Sequence, residues 1–206
     1  MGGGANGCIL HYIENKDMLK NGDLVLIDAG CEFEDYASDI TRTFPVNGKF
    51  SDEQAAIYDI VLKALKEAID VTQAGTPYNK TNETTIRVIT EGLVELGLLK
   101  GDINDLIKAE AHREFYMHGA GHWLGLDVHD VGDYKIDGEW RIYEPGMVVT
   151  IEPGIYISPK NKKVDTKWRG IGVRIEDDIV ITKTGNINLT SKVPKERNEI
   201  EKMMAK

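Results

Sequence analysis

Five side chains that can bind a metal ion interrupt stretches of this chain that are otherwise apolar. Two of them show the pattern: Asp28 directly follows Leu-Val-Leu-Ile, and Glu152 directly follows Val-Val-Thr-Ile. The full set is Asp28, Asp39, His122, Glu152 and Glu176. A charged group on a buried strand is costly unless it is paired or holds a metal. Several such positions in one small chain therefore predict a shared cation site.

The chemistry of this set indicates which cations would fit. Four carboxylates and one imidazole form a hard, oxygen-rich donor set that suits Mn²⁺, Mg²⁺, Fe²⁺ or Co²⁺ better than metals that prefer thiolates. Four converging anions repel one another strongly where the dielectric constant is low. One divalent ion would compensate half of that charge and two would balance it, so the charge count favours a dinuclear site.

The acidic residues also have local interpretations. Asp28, at a strand end, could be a turn residue, and Glu152 could cap the turn that begins at Pro153. Glu176 could form a salt bridge with Arg174 or Arg169. Each local signal is weak, and only the joint pattern is specific.

The two histidines at 118 and 122 have a local alternative as well, as ordinary loop residues. Their spacing is that of a helical zinc pair, but Gly119 and Gly121 disfavour a helix there and no Glu follows His118. The spacing alone therefore does not indicate a helical zinc site.

Composition limits the class of protein. The 206 residues suffice for one domain, and no stretch approaches the roughly 20 apolar residues of a membrane span. A net charge of −9 argues against a nucleic-acid partner. The two cysteines form no disulfide framework, and no secretory leader is evident, so we expect a cytoplasmic protein.

Hydrophobic periodicity predicts a single α+β domain. Ser51 and Gln54 form a capping box that opens a helix over residues 52–73, and Gly97 is expected to end a second helix. The other predicted elements are helices at 82–96, 102–112 and 196–204, and strands at 8–12, 24–30, 31–44, 147–157 and 170–181.

An ordered set of motifs resembles the M24 metallopeptidases, most closely their aminopeptidase P branch, with the prolidases next. The most specific motif is the His-Gly-Ala-Gly-His-Trp-Leu-Gly-Leu-Asp-Val-His-Asp segment at residues 118–130. The other motifs lie at residues 10–12, 27–30, 38–45, 150–154 and 174–178.

The resemblance implies a pita-bread fold, in which a curved antiparallel sheet covered by helices holds two divalent metal ions, usually Mn²⁺. It carries the family's ligands onto the five residues named above. Asp39 and Glu176 would bridge both ions, Asp28 would bind one ion, and His122 and Glu152 would bind the other.

The resemblance also implies an activity, the release of the N-terminal residue from peptides that have proline in second position. A hydroxide bridging the metals would attack the scissile carbonyl, and Glu152 would carry the proton toward the proline nitrogen. His129 would stabilise the tetrahedral intermediate, while His11 and His118 would line the substrate side. Arg174 and Asp130 would orient the ligands.

Compared with the family pattern, the chain is expected to be an N-terminally truncated catalytic domain spanning residues 1–206. The helices of the first half of the fold and an upstream N-terminal domain are missing from it. We expect apolar sheet surface to be exposed as a result, activity to be reduced, and the full-length protein to be a homo-oligomer.

Three alternatives remain open. A prolidase shares the ligands and differs in the length of peptide it accepts. A methionine aminopeptidase is disfavoured by the motifs at 38–43 and 118–130. A metal-free, inert pita-bread binding module is disfavoured because all five ligand positions are retained.

Overall fold

The computed structural model describes residues 1–205, which form helices and short antiparallel strands. The strands are β1 (Gly2–Gly3), β2 (Leu24–Ala29), β3 (Glu32–Phe33), β4 (Tyr36–Ala37), β5 (Ile40–Pro45), β6 (Lys135–Ile136), β7 (Glu139–Trp140), β8 (Val148–Ile151), β9 (Gly154–Tyr156), β10 (Gly172–Arg174), β11 (Asp177–Thr182) and β12 (Gly185–Asn188). The helices are α1 (Asp52–Val71), α2 (Asn79–Glu95), α3 (Ile103–Lys108) and α4 (Arg197–Met204).

The strands form two three-stranded sheets and three two-stranded pairs, with every pairing antiparallel. One sheet has the order β1-β2-β5 and the other β12-β11-β8, while β9 pairs with β10. The hairpins β3-β4 and β6-β7 project from this framework. Hydrogen bonds from Glu176 N to Thr41 O and from Thr43 Oγ1 to Arg174 O join β5 to the β10–β11 segment.

Two long apolar stretches, predicted as single strands, each break in the middle. Residues 147–157 form β8 and β9, separated at Glu152 and Pro153, because proline has no N–H to continue a strand ladder. Residues 172–182 form β10 and β11, separated at Ile175 and Glu176. Since β8 pairs with β11 and β9 with β10, the two breaks face each other.

The two long helices follow the predicted signals closely. Both halves of the capping box at Ser51 and Gln54 are formed, and α1 ends at Val71, two residues before its predicted end. The second helix begins at Asn79, three residues earlier than predicted. Beyond its end, Gly97 has a φ of +72°, the left-handed conformation that glycine adopts at little cost.

Two local predictions are wrong. The predicted helix at 102–112 is limited to Ile103–Lys108, because Glu110 adopts a left-handed φ of +52° and a separate 3-10 turn follows over Ala111–Glu114. The predicted strand at 8–12 does not form. A 3-10 turn occupies Gly4–Cys8 instead, and the paired residues are Gly2–Gly3.

The hydrophobic core lies between helices α1 and α2 on one side and the strands of the second sheet and of the β9–β10 pair on the other. Fully buried apolar side chains from both layers fill it: Ile57, Leu65, Ile89, Leu93, Ile151, Ile155, Val173 and Ile179. Beside the first sheet, Leu24, Val25 and Leu26 are buried, whereas Ile13 and Met18 are more than four-fifths exposed. The exposed apolar side chains therefore lie outside these β2 residues, on the segment before β2 and also elsewhere, for example at Phe33 and Val131.

Within residues 1–205, none of the helices is both long enough and apolar enough to cross a membrane.

Candidate metal centre

Three of the five predicted ligands converge in space. One donor atom from each of Asp39, His122 and Glu176 lies within 4.8 Å of the others. Nε2 of His122 is 3.5 Å from Oδ2 of Asp39 and 3.9 Å from Oε1 of Glu152. Asp28 lines the same cleft, so the fold brings together residues that are far apart in the sequence.

The strand breaks and strand ends position these side chains. Glu152 and Glu176 occupy the two facing breaks, where the backbone leaves the ladder. Asp28 lies on β2 opposite Thr41, and Asp39 immediately precedes β5. The loop that carries His122 runs beside β8, held by a bridge between Trp123 and Val149.

Two glycines allow the backbone to approach closely enough to place ligands. A Cβ on Gly121 would lie 1.8 Å from the carbonyl oxygen of Thr150, so only glycine lets the His122 loop pack against β8. A Cβ on Gly30 would lie 1.8 Å from the carbonyl oxygen of Ser38, directly before Asp39.

A backbone hydrogen bond orients the imidazole of His122. Its Nδ1 lies 2.9 Å from the Trp123 carbonyl oxygen, which assigns the proton to Nδ1 and leaves the Nε2 lone pair directed at the acids. Burial alone would lower the pKa of His122, but the neighbouring Asp39, the Trp123 carbonyl and Glu152 favour the protonated ring and raise the pKa above its ordinary value.

Glu176 is the most deeply buried of the candidate ligands, with 2% of its surface exposed. Its carboxylate accepts a 2.6 Å hydrogen bond from the Thr41 hydroxyl and forms no salt bridge with lysine or arginine among the described residues, although Arg42 donates to its backbone carbonyl. The suggested salt bridge with Arg174 or Arg169 is therefore wrong. Burial, followed by the charges of Glu152 and Asp39, raises the pKa of Glu176 well above its usual range.

Glu152 shows the same effect to a smaller degree. Burial raises its pKa to about 7, and although His122 and Arg174 oppose the shift, Asp39 adds to it. A carboxyl with a pKa near neutrality can hold or release a proton under physiological conditions.

Arg174 connects Asp28 to this cluster. The guanidinium donates to Asp28 Oδ2, to the Thr41 hydroxyl at 3.1 Å and to the Tyr156 hydroxyl at 3.2 Å. Burial and the neighbouring Asp39 nevertheless raise the pKa of Asp28, despite the attraction of Arg174. Asp28 thus lies in a β-strand and not in the turn suggested by its local sequence.

The remaining predicted histidines line the same cleft, which has a volume of about 230 Å³. His118 contacts the Tyr156 hydroxyl through Nε2 and the Gly119 carbonyl through Nδ1, both at 2.8 Å. Burial lowers the pKa of His118 to about 4, so its ring is neutral at physiological pH. The exposed ring of His129 lies 4.2 Å, centroid to centroid, from that of His122, and His11 also lines the cleft.

Asp130 is the one predicted site residue that does not line this cleft. Its carboxylate accepts a hydrogen bond from the backbone N–H of Val131 and lies against Gly125. No described contact joins its side chain to a candidate ligand.

Several residues that touch the ligands were not singled out from the sequence. Tyr156 contacts both His118 and Arg174, and Thr41 contacts Glu176 and Arg174. Thr150 and Asp178 accept hydrogen bonds from the backbones of His122 and Asp39. Their sequence signal was a polar residue within a buried strand, but strand periodicity alone does not reveal the partner.

The donor set fits a pair of hard divalent cations. The five candidate ligands in the cleft supply carboxylate oxygens and one imidazole nitrogen, and no cysteine lines the cleft. Burial first, and then the charges of neighbouring acids, raise the pKa values of Glu152 and Glu176, which a bound cation would counteract.

Known proteins match this arrangement in sequence and in fold. The chain is 58% identical over 204 residues to the Xaa-Pro aminopeptidase of Escherichia coli and 59% identical over 202 residues to that of Haemophilus influenzae. These alignments cover 99% and 98% of this chain. The solved structure of aminopeptidase PepP from Pseudomonas aeruginosa, 61% identical, superimposes with a TM-score of 0.98 over 98% of the chain. The pita-bread fold expected from the sequence is thereby confirmed.

The chain spans slightly less than half the length of these relatives, 46% in each case. Residues 1–183 match the model of metallopeptidase family M24. The resemblance inferred from the motifs is confirmed, and the chain belongs to metallopeptidase family M24.

Proposed function

We propose that residues 1–206 are the metal-binding catalytic part of an aminopeptidase that releases the N-terminal residue from peptides with proline in second position. The observation that carries this proposal is the convergence of Asp39, His122 and Glu176 within 4.8 Å, in a cleft that also holds Glu152 and Asp28. The names of the relatives, which are Xaa-Pro aminopeptidases, support the choice of substrate.

Five side chains would hold two divalent ions, with Mn²⁺ as the proposed metal. Asp39 and Glu176 would contact both ions, Asp28 one of them, and His122 and Glu152 the other. When bound, the ions supply Lewis acidity that polarises the scissile carbonyl and favours ionisation of the attacking water.

Glu152 would transfer the proton. Its carboxylate lines the cleft, so it would take a proton from the attacking water and deliver it to the departing proline nitrogen. Its position between His118 and His122, 3.9 Å from a nitrogen of each, places it beside both the proposed metal ligand and the substrate side of the cleft.

Three histidines would act on the substrate. His129 would donate a hydrogen bond to the oxygen on which negative charge develops, and His118 and His11 would position the peptide. A neutral His118, held by Tyr156, suits contact with an uncharged peptide group. Arg174 would keep Asp28 oriented. Asp130, predicted to orient the ligands, would instead support the loop that carries His129, through its contacts with Val131 and Gly125.

The partners, cellular compartment and oligomeric state of the protein are also proposed. A net charge of −9 fits peptide substrates better than a nucleic-acid partner, and two free cysteines fit a reducing cytoplasm. For the full-length protein we propose a homo-oligomer.

The test combines metal analysis with peptide hydrolysis. The 206-residue chain is incubated with Mn²⁺, freed of excess ion and analysed for metal, and a tripeptide such as Ala-Pro-Ala is then supplied. We expect about two ions per chain and release of the first residue. Asp39→Asn should lose both properties, whereas Asp127→Asn, an exposed acid outside the cleft, should retain both.

Different outcomes separate the alternatives. Cleavage of Ala-Pro but not of Ala-Pro-Ala would favour a prolidase. Two bound ions without hydrolysis of either peptide would favour the inert module, and failure to bind any divalent ion would contradict the metallopeptidase assignment.

A further inference from the structure

Two of the proposed ligands, Asp39 and His122, lie outside regular strands. Asp39 precedes β5, whose pairing with β2 begins at Ile40, and His122 lies in a loop. The backbone N–H groups of Asp39 and His122 are therefore not bound within a strand ladder. Nevertheless, their side chains meet 3.5 Å apart, so other contacts must fix them.

The contacts come from a single pair of residues on the second sheet. Thr150 on β8 and Asp178 on β11 are directly opposite each other in the antiparallel ladder. Thr150 Oγ1 accepts the backbone N–H of His122, and Asp178 Oδ2 accepts the backbone N–H of Asp39, each at 3.2 Å. This one cross-strand residue pair therefore binds the backbone of both ligands.

Both residues of this cross-strand pair are deeply buried and have further backbone hydrogen bonds. Thr150 is 1% exposed and Asp178 is 2% exposed. The backbone N–H of Asp178 donates to the Thr190 hydroxyl at 3.1 Å, and its carbonyl accepts from Leu189. The backbone N–H of Thr150 donates to the His122 carbonyl at 2.9 Å, so that loop is bound twice to the same residue.

The side chain of Asp178 is otherwise costly where it lies. Its second oxygen, Oδ1, is buried without a hydrogen-bond partner. A buried acid with one unsatisfied oxygen destabilises a fold, so stability alone does not explain its presence. Support of an adjacent functional group would explain it.

We propose that Thr150 and Asp178 are positioning residues, which together fix the spacing of Asp39 and His122 and so set the affinity of the site for divalent ions. This inference rests on the proposed ligand assignment. Neither residue contacts the substrate, and both act through the backbone of a ligand.

The test measures Mn²⁺ affinity by electron paramagnetic resonance of the free ion, in titrations of the 206-residue chain. Thr150→Val keeps the side-chain shape but removes the acceptor, and should weaken Mn²⁺ binding about 10-fold, the lower end of the effect of residues that orient metal ligands. Thr150→Ser keeps the hydroxyl and should stay within about twofold of the wild type. Thr90→Val is the matched control, since Thr90 is a buried threonine on α2 that donates to the Ile86 carbonyl.

Asp178 is tested in the same way. Asp178→Ala should weaken Mn²⁺ binding at least about 10-fold, whereas Asp178→Asn, whose amide oxygen can still accept from Asp39, should restore most of the affinity. Ile179→Val, the neighbouring core residue, controls for loss of stability alone and should not change the affinity.

Different outcomes would contradict the positioning role of Thr150 and Asp178 and the ligand assignment itself. Unchanged Mn²⁺ affinity in Thr150→Val and Asp178→Ala overturns the positioning role while leaving the ligand assignment intact. Equal losses in Asp178→Asn and Asp178→Ala overturn it too, because the effect would then come from charge. A wild-type chain that binds no Mn²⁺ removes the ligand assignment and this inference together.

Discussion

Glu176 and Asp177 are neighbours in the chain and both are buried, yet their surroundings are opposite. Asp177 is fully buried and lies 2.7 Å from Arg42 and 2.8 Å from Lys195, with further hydrogen bonds from Asn188 and Thr190. Burial would raise its pKa, but the charge of Arg42 and the hydrogen bonds from Lys195, Asn188 and Arg42 together outweigh burial, and the pKa is lowered.

Glu176 faces the other side, where its neighbours are acids and its pKa is raised. A buried charge paired with arginine and lysine can be a purely structural element, whereas a buried acid among other acids is stabilised by taking up a proton or by binding a cation. The difference between these adjacent residues therefore separates a structural ion pair from a candidate binding site.

The comparison is tested most directly by removing each charge in turn. Glu176→Gln should reduce metal content below about two ions per chain and lower kcat on an Xaa-Pro peptide on the order of 1,000-fold, since several kcal/mol of transition-state stabilisation depend on the metals. Asp177→Asn should retain its full metal content as long as the variant folds. Equal metal loss in both variants would show that the two acids are not functionally distinct.

The converse prediction concerns stability. Asp177→Asn leaves the Arg42 guanidinium, which is 3% exposed, without its charged partner and should cost about 3–5 kcal/mol in urea unfolding. Glu176→Gln should stabilise the metal-free protein, because it removes one of several repelling buried charges. Unfolding of EDTA-treated protein measures both changes, and destabilisation by Glu176→Gln would contradict the comparison.

The two surroundings also predict opposite pH dependence in the metal-free protein. The folded pKa of Glu152 is raised from 4.5 to about 7, so the folded state binds a proton more tightly than the unfolded state. Stability should then fall by about 3 kcal/mol as the pH rises between these values.

The contribution of Asp177 to stability depends on pH in the opposite direction. Its lowered pKa contributes stability that is present above the unfolded value of 3.8 and lost as the pH falls through the folded pKa. Urea unfolding across this pH range, with and without Mn²⁺, checks both effects. Bound Mn²⁺ should abolish the loss between pH 4.5 and 7, and a loss that persists with the metal bound would argue against Glu152 as a ligand.

The smallest expected effect distinguishes the two cations around Asp177. Lys195 is 15% exposed, so its ammonium group keeps part of its hydration, and Lys195→Met should cost only about 1.5–3 kcal/mol. A cost equal to that of Asp177→Asn would mean that Lys195, and not Arg42, is the main partner. Urea unfolding midpoints of the two variants at pH 7 make this comparison.

The sequence predicted which residues line the cleft better than it predicted the contacts between them. Asp28, Asp39, His122, Glu152 and Glu176 were identified because a carboxylate or imidazole in an apolar run is energetically unusual, and all five line one cleft. Their individual roles stay predictions, as does the choice of Mn²⁺.

The supporting contacts could not be predicted in this way. Thr150 and Thr41 are ordinary β-branched strand residues, and their importance depends on register, which brings Thr150 opposite Asp178 and Thr41 opposite Asp28. Periodicity shows which face a residue occupies but not which residue lies across from it. The break at Glu152 was missed although Pro153 signals it, and the break at Glu176 was missed because the surrounding run of β-branched residues gives no sign of where the ladder stops.

The order of the ligands along the chain has a consequence for biosynthesis. The hydrogen bond between Thr41 and Glu176 spans 135 positions, so the two sides of the cleft are made far apart in time. While the polypeptide leaves the ribosome, the early acids cannot capture an ion in their final geometry until β11 has emerged. Under the proposed ligand assignment, complete metal loading would therefore follow synthesis of β11.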